Sequence, residues 1–358
     1  MADLGSDTVL LDEAERLFEE LFPSTEARLA AEAGKWPETA WQRLEEQGFT
    51  RALVPEASGG AGLAPEEVWP LLRLAGRHAL PLPFAETVIA AGLWARAGGE
   101  VPLGPLTLAP SLPGEEFHLD AAGCLHGKAH AIPWGEEATL VLLARNAEGE
   151  PHLALLPPAQ APGDERRSLG GDPLPDVEGG GRRPQALRPA PPQLAAMWLA
   201  VGAHMRAEQM VGGMERALAY AIEHANTRVQ FGRPIGRFQA VQHMIAEAAG
   251  ELAAATAAAD RALPFFDEEA GWLEAAIAKA RASEAAGGVA AAAHQVLGAM
   301  GFTREHPLHF TTRRLWSWRD EFGDEPYWQA EIGRRVLRGG GEALWTLLVD
   351  RPQPGQGR

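Results

Sequence analysis

The spacing of apolar and polar positions divides the chain into three regions. From the N-terminus to about residue 105 the period is helical. Leu10, Leu11, Ala14, Leu17 and Phe18 make one stripe. In WPETAWQRLEEQGF, Pro37 stands near a helix start and Gly48 where a left-handed residue ends one. LVPEASGGAGLAPEEVWPLLRLAGRHAL predicts a glycine-rich loop and then a helix. Pro65, Glu66 and Glu67 lie in its first turn, where carboxylates suit the helix dipole.

From 106 to about 193 the pattern changes. FHLDAAGCLHG, ATLVLLAR and HLALLP are short, alternating or wholly apolar runs broken by Gly and Pro turns. They predict a small, thin β domain. The Pro-, Gly- and Arg-rich stretch 158–193 reads as loop or linker. From 194 to 350 the helical period returns in four long segments. The first is softened at Gly212-Gly213 and the last interrupted at Gly339–Gly341. Four such segments predict a helix bundle, with residues 351–358 left as a tail. The predicted fold class is therefore α+β, mostly α: helical domain 1–105, β domain with linker 106–193, four-helix bundle 194–350.

Composition narrows the function. A net charge of −16 argues against a nucleic-acid partner. No run of apolar residues is long enough to span a membrane, and the N-terminus lacks the basic and apolar regions of a signal peptide. One cysteine, Cys124, suits a reducing compartment, so a cytoplasmic location is expected. His306 and His309 have no cysteine or carboxylate at ligand spacing, so no metal is expected.

Two polar constellations stand out. RVQFGRPIGRFQAVQ, from Arg228 to Gln242, joins two helices. Arg228 offers a planar five-donor fork, and Phe238 and Gln239 open a helix whose first amides are unpaired. Such a junction fits a nucleotide or pyrophosphate site. On physics alone it fits better an arginine capping helix carbonyls beside solvated glutamines. The second, HQVLGAMGFTREHPLHFTTRRLWSWRDEFGDE, follows the third bundle helix. His294 and Gln295 end that helix, Gly298 and Gly301 suit close backbone approach to a flat group, and a basic-aromatic run leads into Asp320, Glu321, Asp324 and Glu325. A carboxylate there could be a tuned base, or part of a surface salt-bridge loop.

Together these segments resemble the acyl-CoA dehydrogenase family. The Arg228–Gln242 stretch is similar to that family's arginine…Phe-Gly…Phe-Gln junction. HQVLGAMGF is similar to its Gln-x-x-Gly-Gly-x-Gly-Phe turn, and VPEASGGAGL to its Pro-Glu…Gly-Gly loop. The resemblance implies FAD as cofactor and α,β-desaturation of an acyl-CoA thioester as the reaction. It assigns Arg228, Phe231, Phe238, Gln239, Gln295 and Gly298 to a flavin held by a neighbouring subunit. It also implies a tetramer and an electron-transfer flavoprotein as electron acceptor.

Departures from the family pattern shape the expectation. The family's base glutamate follows an arginine by nine residues. From Arg313 that count reaches Phe322, with Glu321 just before it and Gly323 just after. Glu321 is thus the candidate base. A second family position for the base, about 26 residues before Arg228, holds Gly202. The strand segments that meet the flavin ring in the family are not recognisable, and AIPWGEE is a poor substitute. The chain resembles subunits of paired dehydrogenases acting on steroid or other ring-bearing CoA esters. It is expected to work either as an acyl-CoA dehydrogenase, within a homo- or hetero-oligomer, or as a non-catalytic subunit completing a partner's FAD site.

Overall fold

The computed structural model describes residues 4–159, 166–262 and 269–349. The expected tail lies outside them. The N-terminal part is built from α1 (Leu4–Leu21), α2 (Thr25–Glu32), α3 (Glu38–Glu46), α4 (Pro65–Arg77) and α5 (Phe84–Arg96). Ser24 caps α2 by accepting the Ala27 amide. Glu67 reaches back to the Ala64 N–H at 2.7 Å, so the glutamates of α4 start the helix as expected. The Leu10–Phe18 stripe packs inward, with Ala14, Leu17 and Phe18 buried. In α5 every residue from Phe84 to Ala95 is buried.

The middle is a seven-stranded sheet: β1 (Leu106–Ala109), β2 (Phe117–Leu119), β3 (Leu125–Ala129), β4 (Thr139–Arg145), β5 (Pro151–Leu156), β6 (Val177–Glu178) and β7 (Ala186–Pro189). Its order is β6-β3-β2-β4-β5-β7, with β1 parallel to β4 ahead of β2. Leu140, Val141, Leu142 and Ala144 of β4 are buried, which fits a central strand covered on both faces.

The sheet is larger than the sequence pattern predicts, and the expected linker is part of it. That stretch supplies β6 and β7, and it also packs against the helices. Asp172 is buried and accepts from Arg314 at 3.0 Å, and the Gly170 amide donates to the Ser317 hydroxyl at 3.2 Å. Arg313 and Arg314 both pair with buried Glu32 of α2. Glycine and proline here shape tight turns within a packed segment.

The C-terminal part contains α6 (Pro192–Thr227), α7 (Gln239–Arg261), α8 (Glu269–Leu297), α9 (Leu308–Asp320) and α10 (Glu325–Val349). Four are the expected long helices. α9 is an addition: the basic-aromatic run is helical, with Leu308, Phe310, Arg314, Leu315 and Trp318 buried. α10 breaks its backbone at Gly340, where φ is 74°. α6 runs unbroken through Gly212-Gly213. A Cβ on Gly212 would sit 1.8 Å from the Arg73 carbonyl oxygen, so the glycine serves contact with α4. α6 packs on α4, α7, α8 and α9, while α8 packs on α7 and α10.

Candidate functional site

The first constellation sits on a tight hairpin after α6. The Arg228 amide donates to the His224 carbonyl at 2.9 Å, and its own carbonyl accepts from Ile235 at 2.9 Å. β8 (Val229–Gln230) pairs with β9 (Arg233–Pro234), leaving Phe231 and Gly232 as the two turn residues. Both have positive φ, 51° and 79°. That is the turn geometry two-residue hairpins favour, but Phe231 carries a side chain into it. A left-handed non-glycine residue costs about 1–2 kcal/mol. The ring is not repaid by burial, because Phe231 is 92% exposed. It meets Phe238 edge-on at 6.1 Å, and the Arg233 guanidinium lies 4.3 Å from the Phe238 ring centre.

Gly236 allows the next turn to lie close to α6, since a Cβ there would be 3.1 Å from the Ala225 carbonyl. Phe238 occupies the cap position of α7 without a side-chain cap, and Gln242 braces the turn through the Gly236 carbonyl at 3.0 Å. Gln239 is exposed at the first position of α7.

The second constellation lies at the same end of the bundle. The Glu251–Arg281 ion pair ties α7 to α8. With the two helices antiparallel, that register carries Gln239 to the level of Ala293, two residues before Gln295. Val241, Met244 and Ile245 of α7 join Leu297 of α8 in one cluster. After α8 the chain turns through 298–302, with Gly298 at φ 60°. His294 stacks on Phe302 at 4.4 Å and bonds the Thr312 hydroxyl at 3.0 Å. Burial keeps His294 below the usual imidazole range. Gln295 and Gly298 are exposed, as are Met300 and Phe302, the last by 75%. Among the described residues the side chains of Arg228, Gln239 and Gln295 have no hydrogen-bond partner.

Glu321 is elsewhere, at the C-cap of α9, and buried. Its carboxylate accepts from Arg206 Nε at 2.7 Å. Arg206, itself buried on α6, also reaches Glu86 Oε1 and Gln209 Oε1, each at 2.5 Å. Burial pushes Glu321 up to about 7 even though Arg206 pulls the other way. Phe322 follows at φ 56° with its ring wholly buried. A Cβ on Gly202 would lie 2.1 Å from that ring. The two positions that the counts from Arg313 and Arg228 reach therefore pack on each other as phenylalanine and glycine. Lys279 holds this loop from below, donating to the Arg319 carbonyl at 2.7 Å and the Gly323 carbonyl at 2.8 Å. Burial brings Lys279 down to about 7.

The sequence pattern missed Arg206, Glu86 and Lys279. Their only signal is a charged residue within a largely apolar helix. It also missed Arg233, which reads as one more turn arginine.

The outward end of the α7–α8 pair suits a dinucleotide: an unpaired fork, two unpaired amides, aromatic faces and the open first turn of α7. The sheet side does not. The Ile132 and Trp134 amides, within AIPWGEE, are taken by the Pro175 and Pro173 carbonyls at 2.9 and 2.8 Å. A Cβ on Gly135 would lie 2.9 Å from the Pro175 ring. The chain's own backbone covers that edge. Among the described residues no group of three or more His, Cys, Asp or Glu could hold a metal, and no helix is long and apolar enough to cross a membrane.

Helices on either side of a small sheet, with a bundle ending in these two motifs, are the architecture of a flavoprotein dehydrogenase. The chain belongs to the acyl-CoA dehydrogenase family: residues 193–333 match its C-terminal domain, and a curated member is similar over most of both chains. That relative, acyl-CoA dehydrogenase IpdE2 of Mycobacterium tuberculosis, is 30% identical over 289 residues, 80% of this chain and 83% of the relative. Acyl-CoA dehydrogenase FadE27 of the same organism is 28% identical, over 75% and 80%. Among solved structures, the Tcur3481-Tcur3483 steroid ACAD variant superposes with a TM-score of 0.81 and 26% identity, covering 93% of this chain and 99% of that one. The ChsE4-ChsE5 complex from Mycobacterium tuberculosis gives 0.82 at 22% identity, over 95% and 99%, a likeness of fold.

Proposed function

We propose that this chain is one subunit of a hetero-oligomeric, FAD-dependent acyl-CoA dehydrogenase, and that it completes a flavin site held mainly by a related partner chain. The carrying observation is the exposed, partnerless set Arg228, Gln239 and Gln295 at one end of the bundle. Buried polar groups find partners within a chain, whereas groups left free at an exposed end are available to a ligand across an interface. Arg228 would bind pyrophosphate oxygens. Gln239 and Gln295 would supply amide contacts, Phe231 and Phe238 aromatic faces, and Gly298 the turn beneath the nucleotide. Bound FAD supplies the hydride acceptor for α,β-desaturation of the acyl-CoA thioester.

Base chemistry falls to the partner in this reading. Phe322 against Gly202 leaves no carboxylate at either family position, and Glu321 is tied to Arg206. A second reading makes Glu321 this chain's own base, active within a homo- or hetero-tetramer; its proton affinity near neutrality favours it. The steroid ACAD among the structural neighbours supports a bulky, ring-bearing acyl group. An electron-transfer flavoprotein is the natural electron acceptor, and cytoplasmic location follows the same reading.

The test is co-expression with a related dehydrogenase chain encoded nearby, followed by the visible flavin spectrum with and without this protein. Flavin should be retained only in the complex. Stoichiometric FAD and acyl-CoA oxidation by this chain alone would overturn the proposal. Arg228→Ala removes a charge-assisted contact worth about 1.5–3 kcal/mol, so flavin should bind roughly ten- to a hundred-fold more weakly. Full occupancy at limiting FAD would refute the role given to Arg228.

A further inference from the structure

A second polar site lies far from the flavin-binding end, where the N-terminal helices meet the last strand of the sheet. A groove of about 570 Å³ is lined by Arg51, Trp94, Glu100, Leu103 and Arg188, among others. Arg51 comes from the turn after α3, and Arg188 from β7, which is the open edge of the sheet. Backbone carbonyls clamp both. Arg51 Nη2 donates to Val101 at 3.0 Å, while Arg188 donates to Gly98 at 3.1 Å and Leu187 at 2.9 Å. Trp94 orients Arg188 further, with the guanidinium 5.8 Å from its ring.

Carbonyls hold a guanidinium but do not neutralise it. Among the described residues neither arginine has a carboxylate partner, unlike the buried Arg206 and Arg314. Each keeps several donors unused. Glu100 is the one acidic residue in the lining, so the two arginines leave the groove with one unbalanced positive charge. Beside them lie half-buried Pro102 and Leu103, the latter 84% exposed. An exposed leucine beside two fixed guanidiniums suits a ligand with an anionic head and a short hydrocarbon body.

We propose that this groove is a binding site for a small aliphatic monocarboxylate, its carboxylate between Arg51 and Arg188 and its chain against Pro102 and Leu103. A single negative charge balances the lining, whereas a phosphate dianion would exceed it and meet Glu100 unfavourably. The site shares no residue with the flavin contacts and does not depend on them.

Isothermal titration of the assembled protein with hexanoate tests this, with hexyl phosphate and hexanol as parallel probes. Hexanoate should bind saturably, hexyl phosphate more weakly and hexanol not measurably. Arg188→Gln should weaken hexanoate about tenfold or more, while Arg188→Lys should retain part of the affinity. Arg51→Lys checks the second arm, and bound flavin should be unchanged in all three variants. No saturable hexanoate binding, equal binding of hexanol, or unaltered affinity in Arg188→Gln would each overturn the proposal. Tighter binding of hexyl phosphate would overturn the monocarboxylate assignment.

Discussion

Replacing Arg206 by methionine tests the buried network directly. Arg206 is fully buried and holds Glu321, Glu86 and Gln209 together. Methionine fills comparable space but leaves two buried carboxylates facing each other without the arginine that joins them. Removing one partner of a buried pair costs about 3–5 kcal/mol. The chain has one means of relief. Glu321, already at about 7 against an ordinary 4.5, can take up a proton. A carboxyl whose folded value is raised holds its proton more tightly folded than unfolded. Its contribution to stability is therefore present at low pH and lost as pH rises through about 7. Arg206 opposes that rise, so without it the folded value moves higher and the loss extends further into the alkaline range. The deficit of the variant should thus grow with pH, by up to about 1.4 kcal/mol per unit between pH 6 and 8. Urea unfolding of the assembled protein at both pH values, with the slope checked for constancy, measures it. A deficit under about 1 kcal/mol at both, or one larger at pH 6, would refute the view that Arg206 compensates buried charge.

Other substitutions probe the rest of the molecule. Glu321→Gln keeps the Arg206 contact but cannot titrate. It should flatten the fall in stability between pH 4.5 and 7 and leave turnover of the assembled enzyme within about twofold, whereas a loss of the size usual for removing a general base, about a hundredfold or more, would return Glu321 to the chemistry. Phe231→Asn relieves the left-handed turn and should stabilise by about 1 kcal/mol in thermal unfolding while lowering flavin occupancy; both changes are needed for the turn to be strained in the service of binding. Gly212→Ala forces a methyl onto the Arg73 carbonyl and should destabilise by about 1–3 kcal/mol, and an unchanged denaturant midpoint would mean that α4 and α6 can part freely.

What the sequence made legible follows from where periodicity is loud. The Leu10–Phe18 stripe and the long bundle segments each bury one side, so the helical period shows. α5 is buried throughout and has no polar face to mark a period. β6 and β7 are two and four residues long and set among glycines and prolines, so they read as loop. The Arg228–Gln242 and Gln295–Gly301 segments are visible because their glycines and aromatics interrupt helices. Counting along the chain reaches Glu321, but its partner Arg206, and Glu86 on the far side of that arginine, stand 115 and 235 residues away. Only the folded packing brings those charges together, and it turns the candidate base into a bound one.

The tie between Glu32 and the Arg313–Arg314 pair has a consequence in time. Glu32 leaves the ribosome early, and its cations follow some 280 residues later. Until then α2 carries a carboxylate whose two buried-site arginines have not yet been made. The N-terminal helices can collapse on their own apolar stripe, but they cannot lock while the chain is still being made. Asp172, delivered midway, waits for the same Arg314. A truncated chain ending before α9 would leave both acids without their arginine partners, marking an unfinished chain by two uncompensated charges at positions meant for burial.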